Sequence, residues 1–213
     1  MSRIVVFGAA GRAGVRVVAE AAARGHQVTA VARDPGRLTA LPAGVRAVGG
    51  DVLDPVVVTA LAKEADALVL TVGGSDPGLY AEAVGVVVDA VRALGPGGPR
   101  IVHMGGGASL LDEQGVRIFD APGFPPAFRD SAAGQIAALD AYRACEGVTW
   151  TYVSPPPVHF APGERRGTYR TALDHPVAGE DGQARLSYED FAVALVDEIE
   201  TPRHLNRRFT VGY

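Results

Sequence analysis

Cysteine is almost missing from this 213-residue chain. Cys145 stands alone, so no intramolecular disulfide can form, and a reducing, cytoplasmic setting is expected. Lysine is equally scarce: Lys63 is the only one among 20 Lys and Arg residues. There is no basic excess either. The net charge is −4 and the isoelectric point about 5.7, which removes the electrostatic footprint of a general nucleic-acid binder. No apolar run approaches the roughly 20 residues of a membrane span, so no membrane partner is expected. The stretch Ile4–Ala10 is too short for a signal-peptide core and runs straight into glycines. No His/Cys/Asp group has metal-ligand spacing, and no metal is expected. Internal repeats and low-complexity linkers are absent as well.

What is present describes a globular protein. Hydrophobic residues make up 47% of the chain and the mean hydropathy is +0.13, which suits a well-packed core rather than disorder. The Arg-for-Lys and Ala-rich bias is that of a GC-rich bacterial genome. The first two thirds alternate short β-rich runs with helical patterns. Strands are expected at Arg3–Gly8, Gln27–Arg33, Val45–Asp51, Asp66–Gly73 and Arg100–Gly106. Helices are expected at 14–25, 56–65 and 79–95, the first burying Val15, Val18 and Ala22 and stopping at Gly25. Such alternation implies right-handed βαβ units and a parallel sheet covered on both faces.

The last third changes character. Residues 107–131, rich in Gly, Pro and Asp, read as a long loop of the kind that is often functional. A helix over Ala132–Cys145, a strand at 149–155 and a second loop over 155–185 follow. Ser187, three before Asp190, opens a helix whose buried stripe is Phe191, Leu195 and Ile199. A strand over 207–213 closes the chain. The expected fold is α/β: a Rossmann-type doubly wound parallel sheet with helices on both faces and a small C-terminal elaboration, in one domain over residues 1–213.

The stretch VVFGAAGRAGVRVV carries the first functional signal. Gly8, Gly11 and Gly14 follow a strand and open a helix. There they permit a tight turn, close approach of backbone to a pyrophosphate, and close helix–sheet packing. The helix N-terminus adds N–H groups and a positive dipole end, and Arg12 a mobile charge. The spacing is GxxGxxG rather than GxGxxG. At the end of the second strand stands Arg33, where NAD-preferring sites place an acid. An arginine there pairs with a 2′-phosphate and stacks on adenine, which favours NADP(H), with NAD(H) second. Asp34 and Arg37 lie beside it. Asp51, after the third strand, suits the adenine amine or a turn, and the small residues of TVGG after the fourth leave room for a ribose. All four signals sit at strand C-termini, where open α/β sheets bind ligands.

With IVVFGAAGRAG, VARDP, GDVLD, GGGASLL, TWTYVSPPPVHFAPGERRGTYR and the terminal RFTVGY in view, the chain resembles the atypical short-chain dehydrogenase/reductases. Within them it is similar to the flavin-reductase and biliverdin-reductase-B type, over essentially its whole length. The resemblance implies that Gly8, Ala10, Gly11, Arg12 and Ala13 hold the pyrophosphate and that Arg33 binds the 2′-phosphate. By the same resemblance Asp51 and Val52 meet the adenine, and Thr71, Val72 and Gly73 line the adenosine side. Met104, Gly105, Ser154 and Pro155 then border the nicotinamide.

Standard short-chain dehydrogenases use a Tyr-x-x-x-Lys pair for proton transfer. Counting removes it here, because Lys63 precedes the fourth strand and Tyr142 is followed four places on by Glu146. An acceptor that needs little acid catalysis, such as a flavin or quinone, fits that absence. Ser109, where the family's active-site serine would lie, is the best polar candidate for a catalytic or substrate-binding role; a turn-stabilising hydroxyl is the alternative. Gln135 stands where related chains often carry histidine or tyrosine. His103, inside a strand, reads as structural. Phe124, His159 and Tyr169 are substrate-pocket candidates. Phe124, with Phe119 and Phe128, either covers a flat aromatic substrate or anchors its loop. Three activities remain open: an NADPH-dependent reductase, a non-catalytic NADP(H) sensor like the NmrA-type regulators, and an NADP-dependent isomerase or dehydratase-like enzyme. The expected partner is a small-molecule substrate, and the expected state a monomer or homodimer.

Overall fold

The computed structural model describes all residues from Met1 to Tyr213. Its first half runs β1 (Arg3–Phe7), α1 (Gly14–Ala23), β2 (Gln27–Ala32), β3 (Arg46–Gly49), α2 (Pro55–Ala62), β4 (Ala67–Leu70), α3 (Gly78–Ala93) and β5 (Arg100–Met104). Then come α4 (Arg129–Ala144), β6 (Trp150–Ser154), β7 (His159–Ala161), β8 (Arg170–Ala172), β9 (Arg185–Ser187), α5 (Tyr188–Glu200) and β10 (Arg207–Gly212).

The main sheet has the order β3-β2-β1-β4-β5-β6-β10-β8. Seven strands are parallel, and β8 closes one edge antiparallel to β10. This is a Rossmann-type sheet, with its strand order reversing between β1 and β4. A separate pair, β7 and β9, lies outside it.

Alternation along the strands assigns the two faces. Val5, Phe7, Leu68, Leu70, Ile101 and Trp150 turn to one side and pack with α2, α3 and α4. Ile4, Val6, Val69, Val102, Val153 and Phe209 turn to the other, against α1 and α5. Local chemistry sets the helix starts. Asp54 accepts from the amides of Val56 and Val57 ahead of Pro55, and the Ser187 hydroxyl accepts from Asp190 N at 3.0 Å. Gly25 and Gly95, at φ +80° and +72°, follow α1 and α3. No helix is long and apolar enough to cross a membrane.

Four expectations need correction. In α1 Val18 is buried as expected, but its buried apolar neighbours are Val17 and Ala21 rather than Val15 and Ala22; Val15 is 37% exposed and Val17 not at all. Helix α4 starts at Arg129, three residues before Ala132, directly from a one-turn 3-10 helix at Pro126–Phe128. The 107–131 loop holds two further 3-10 turns, at Gly107–Ser109 and Ile118–Asp120. The 155–185 loop contains β7 and β8 and leads into β9, each three residues long.

Candidate cofactor site

The chain leaves β1 through Gly8, and the glycine turn is held by steric need. Gly8 adopts φ +78°, and a Cβ there would lie 2.7 Å from the Thr71 carbonyl oxygen. A Cβ on Gly14 would run into the Gly8 carbonyl and stand 2.7 Å from Thr71 Oγ1. Side chains at these positions would fill the space between turn and strand. Gly11 N donates to Gly8 O at 2.9 Å, closing the turn. The Thr71 hydroxyl donates to Phe7 O at 2.9 Å and ties the end of β4 to the end of β1. The first turn of α1 carries no acidic residue, so its positive end is not neutralised locally.

A cleft of about 460 Å³ opens beside this turn. It gathers nine of the expected cofactor residues: Gly8, Ala10, Gly11, Arg33, Asp51, Val52, Thr71, Val72 and Gly73. Asp34, Arg37, Gly50 and Leu79 complete much of its wall. Arg12 is exposed on the turn and Ala13 is buried at the start of α1. Met104 and Gly105 end β5, and Ser154 and Pro155 end β6, further along the same edge of the sheet. Gly105 N donates to Val153 O at 2.8 Å. Ser154 Oγ is buried and unpartnered.

The charges of the cleft are distinctive. Twelve arginines pair with carboxylates, and Arg170 donates to two carbonyls. Arg12, Arg33 and Arg37 have no such partner. Asp34, the acid nearest Arg33, turns away: its Oδ1 accepts from Gly36 N at 3.0 Å and caps a 3-10 turn. Asp51 Oδ1 accepts from Leu53 N at 3.1 Å, so one oxygen belongs to its own turn. These groups fit a dinucleotide: small residues against a pyrophosphate, a helix N-terminus behind it, and unpaired guanidinium groups at the adenosine end.

Next to the cleft lies a buried polar row, of which sequence reasoning found only His103, expected as structural. Register places Phe7, Leu70, His103, Tyr152 and Arg208 side by side across five strands. His103 Nδ1 lies 3.1 Å from Tyr142 Oη, and its ring stacks on Tyr152 at 5.2 Å. Tyr152 Oη donates to the Gln135 carbonyl at 2.7 Å and accepts from Gly106 N at 3.3 Å. A Cβ on Gly105 would sit inside the Tyr152 ring, so the backbone after β5 rests on that ring. Burial lowers the His103 pKa to about 3 and pushes those of Tyr142 and Tyr152 up. All three side chains are therefore neutral near pH 7 and hold structure rather than exchange protons. The available signal was a tyrosine and an arginine inside otherwise apolar strands.

The remaining candidates scatter. The Ser109 hydroxyl, 9% exposed, donates to Gly106 O at 3.3 Å and faces Arg208 Nη1 at 3.4 Å; Arg208 in turn pairs with Asp174. Gln135 presents its carbonyl and Oε1 to Tyr152. The Phe124 ring centre lies 5.3 Å from that of Phe119, partly buried in the segment that precedes α4. His159 is exposed on β7 beside a groove shared with His175. The Tyr169 hydroxyl donates to Asp197 at 2.5 Å. Asp197 also pairs with Arg24, beyond the far end of α1, about 15 Å of helix from the glycine turn. The structure does not bring Tyr169 to the cleft.

Residues 8–202 match the family described as NAD(P)H-binding, and the chain belongs to it. It is 31% identical over 218 residues to the Bacillus subtilis (strain 168) "Uncharacterized protein YwnB", covering 98% of this chain and 97% of that protein. Among solved structures, a "putative exported protein" from Burkholderia pseudomallei is similar at a TM-score of 0.89 and 35% identity, with both chains fully covered. A "putative NADH-flavin reductase" from Streptococcus pneumoniae TIGR4 is similar at a TM-score of 0.88 and 29% identity, covering 100% of this chain and 99% of that one.

Proposed function

We propose that this protein is an NADPH-dependent reductase that passes hydride to a conjugated small molecule such as a flavin or quinone. The observation that carries the cofactor preference is the set of unpaired arginines at the cleft. Arg33 and Arg37 stand at the tip of β2, and Asp34 is committed to its own cap. A ribose 2′-phosphate supplies the missing counter-charge, whereas a ribose hydroxyl would want the acid. Arg12 faces solvent on the glycine turn, within the part of the site assigned to the pyrophosphate.

Bound there, NADPH would supply a hydride, which carries two electrons to the acceptor, and the one proton that completes the reduction comes from solvent. The chain's own part is binding and orientation. Gly8, Gly11 and Ala13 shape the phosphate turn, Asp51 and Val52 meet the adenine, and Thr71, Val72 and Gly73 line the adenosine ribose. Met104, Gly105, Ser154 and Pro155 border the nicotinamide. Tyr152 supports the Gly105–Gly106 backbone from beneath. Near this end the Tyr152 and Ser109 hydroxyls are already hydrogen-bonded and Ser154 Oγ is unpartnered but is no acid, which suits an acceptor that needs position more than a protein acid.

The test is absorbance at the reduced-nicotinamide band. Purified protein with NADPH should oxidise it on addition of FMN or a simple quinone. Tight NADPH binding with no oxidation across such a panel would overturn the reductase reading.

A further inference from the structure

Six arginines have neither a carboxylate nor another acceptor: Arg12, Arg33, Arg37, Arg129, Arg203 and Arg207. Arg33 and Arg37 line the cofactor cleft, Arg12 is exposed on the glycine turn beside it, and Arg203 and Arg207 lie at the opposite ends of the strands, before and at the start of β10. Arg129 is the remaining one. It is exposed at the first residue of α4, and its guanidinium stands 5.3 Å from the Phe119 ring centre and 5.9 Å from that of Phe124. The two rings are tilted at 56° with centres 5.3 Å apart. The neighbouring Arg117 also stacks on Phe119, but Asp120 neutralises it through two hydrogen bonds of 2.8 and 3.1 Å.

Position connects this cluster to the reacting end of the cofactor site. Helix α4 starts on the edge where β5 ends and runs back antiparallel to it. Gln135, six residues along α4, lies under Gly106: a Cβ on Gly106 would be 3.1 Å from Gln135 Cβ. Arg129 therefore stands about 9 Å along the helix axis from Gln135, toward the helix N-terminus. The turn carrying Phe119 is fixed to the turn carrying Ser109 by Ile118 N donating to Leu110 O at 2.9 Å. The Ser109 turn and α4 thus tie the two rings and the free guanidinium to the backbone that follows β5.

We propose that Phe119, Phe124 and Arg129 form the acceptor's anion site, selecting a conjugated ring that carries a phosphate, sulfonate or carboxylate. Cation–π attraction to the two rings holds the guanidinium in place and leaves its N–H groups for an oxyanion. The proposal rests on the reductase reading for what then happens to the acceptor, but binding itself is measurable without turnover.

FMN and riboflavin share one ring system and differ in a phosphate, so they separate the two contributions. With the protein saturated by NADP⁺, so that no hydride is available, flavin fluorescence quenching should show FMN bound about tenfold or more tighter than riboflavin, the worth of one charge-assisted contact. Arg129→Ala should bring that ratio to about one, and Arg129→Lys should retain part of it, because lysine keeps the charge without the planar fork. NADP⁺ affinity reports whether each variant is folded. Equal binding of the two flavins by the wild type, or an FMN preference that survives Arg129→Ala, overturns the anion site. If the wild type shows no FMN preference yet oxidises NADPH with a neutral quinone, this proposal falls and the reductase reading stands. If Arg129→Ala abolishes an FMN preference but no acceptor is ever reduced, the anion site stands and the reductase reading falls.

Discussion

Arg33 and Asp34 divide the tip of β2 between them, and their division decides which cofactor the cleft prefers. The carboxylate is spent on Gly36 N, and the guanidinium is free. Replacing Arg33 by alanine should weaken NADPH binding by about 10- to 100-fold, the range of a charge-assisted hydrogen bond, and leave NADH nearly unchanged. Equal loss for both nucleotides would remove Arg33 from the 2′-phosphate. His103 makes a different residue-scale prediction. Its folded-state pKa of about 3 lies below the ordinary value of 6.5, so the unfolded chain binds the proton first as pH falls. The stability it contributes is complete above about pH 6.5 and is lost progressively from there toward pH 3, by up to about 1.4 kcal/mol per pH unit. Arginine partners hold the carboxylates of Glu20, Asp66 and Glu189 below their usual range, with backbone N–H groups adding to this at Asp66 and Glu189. Urea unfolding at pH 7, 6 and 5 should show a slope that His103→Asn flattens; an unchanged slope would contradict the buried neutral imidazole.

Among the elements, α5 works as an anchor. Its Asp190 is fully buried and accepts from Arg166 N, Gly167 N and the Tyr213 hydroxyl at 3.1, 2.8 and 2.6 Å. One carboxylate thereby fixes the 162–168 segment and the C-terminal residue against the helix. Asp190→Ala leaves three donors without their acceptor and should cost about 2–5 kcal/mol, with Asp190→Asn milder. Hydrogen exchange should report the loss first at residues 162–168, and unaltered protection there would deny the anchor. This is the part of the fold that the sequence concealed. Three-residue strands such as β7, β8 and β9 are too short for alternation to register, and prolines around them read as loop. Their partners lie far along the chain, so only pairing reveals them. In α1 the apolar residues surround Val15, Val17 and Val18 closely enough that the helical phase is ambiguous, and the face came out rotated. By contrast, β1, the glycine turn, α1, β4 and β5 are long or apolar enough to be placed within a residue or two, except where expected strands overran their ends by up to three. The cleft was legible for the same reason, because its residues sit at the ends of those strands. The row of His103, Tyr152 and Arg208 was not, since each lies in a different βα unit and only the register aligns them.

At the scale of the molecule, the two faces of the sheet do different work. On one, α1 and α5 present the phosphate turn and the strap at 162–168, joined by Arg16, which donates to Glu189 at 2.5 Å and to the Arg12 carbonyl at 2.6 Å. On the other, α4 carries Gln135 under Gly106 and Arg129 beyond it. The line from Arg33 through the glycine turn to Gly105 crosses the point where the strand order reverses, and an extended dinucleotide fits along it. The most direct test is a paired titration of the purified protein with NADPH and NADH, followed by nicotinamide fluorescence. The arrangement predicts NADPH binding about tenfold or more tighter than NADH. Equal affinity for the two would contradict it, and no binding of either would leave Gly8, Gly11 and Gly14 as a turn alone.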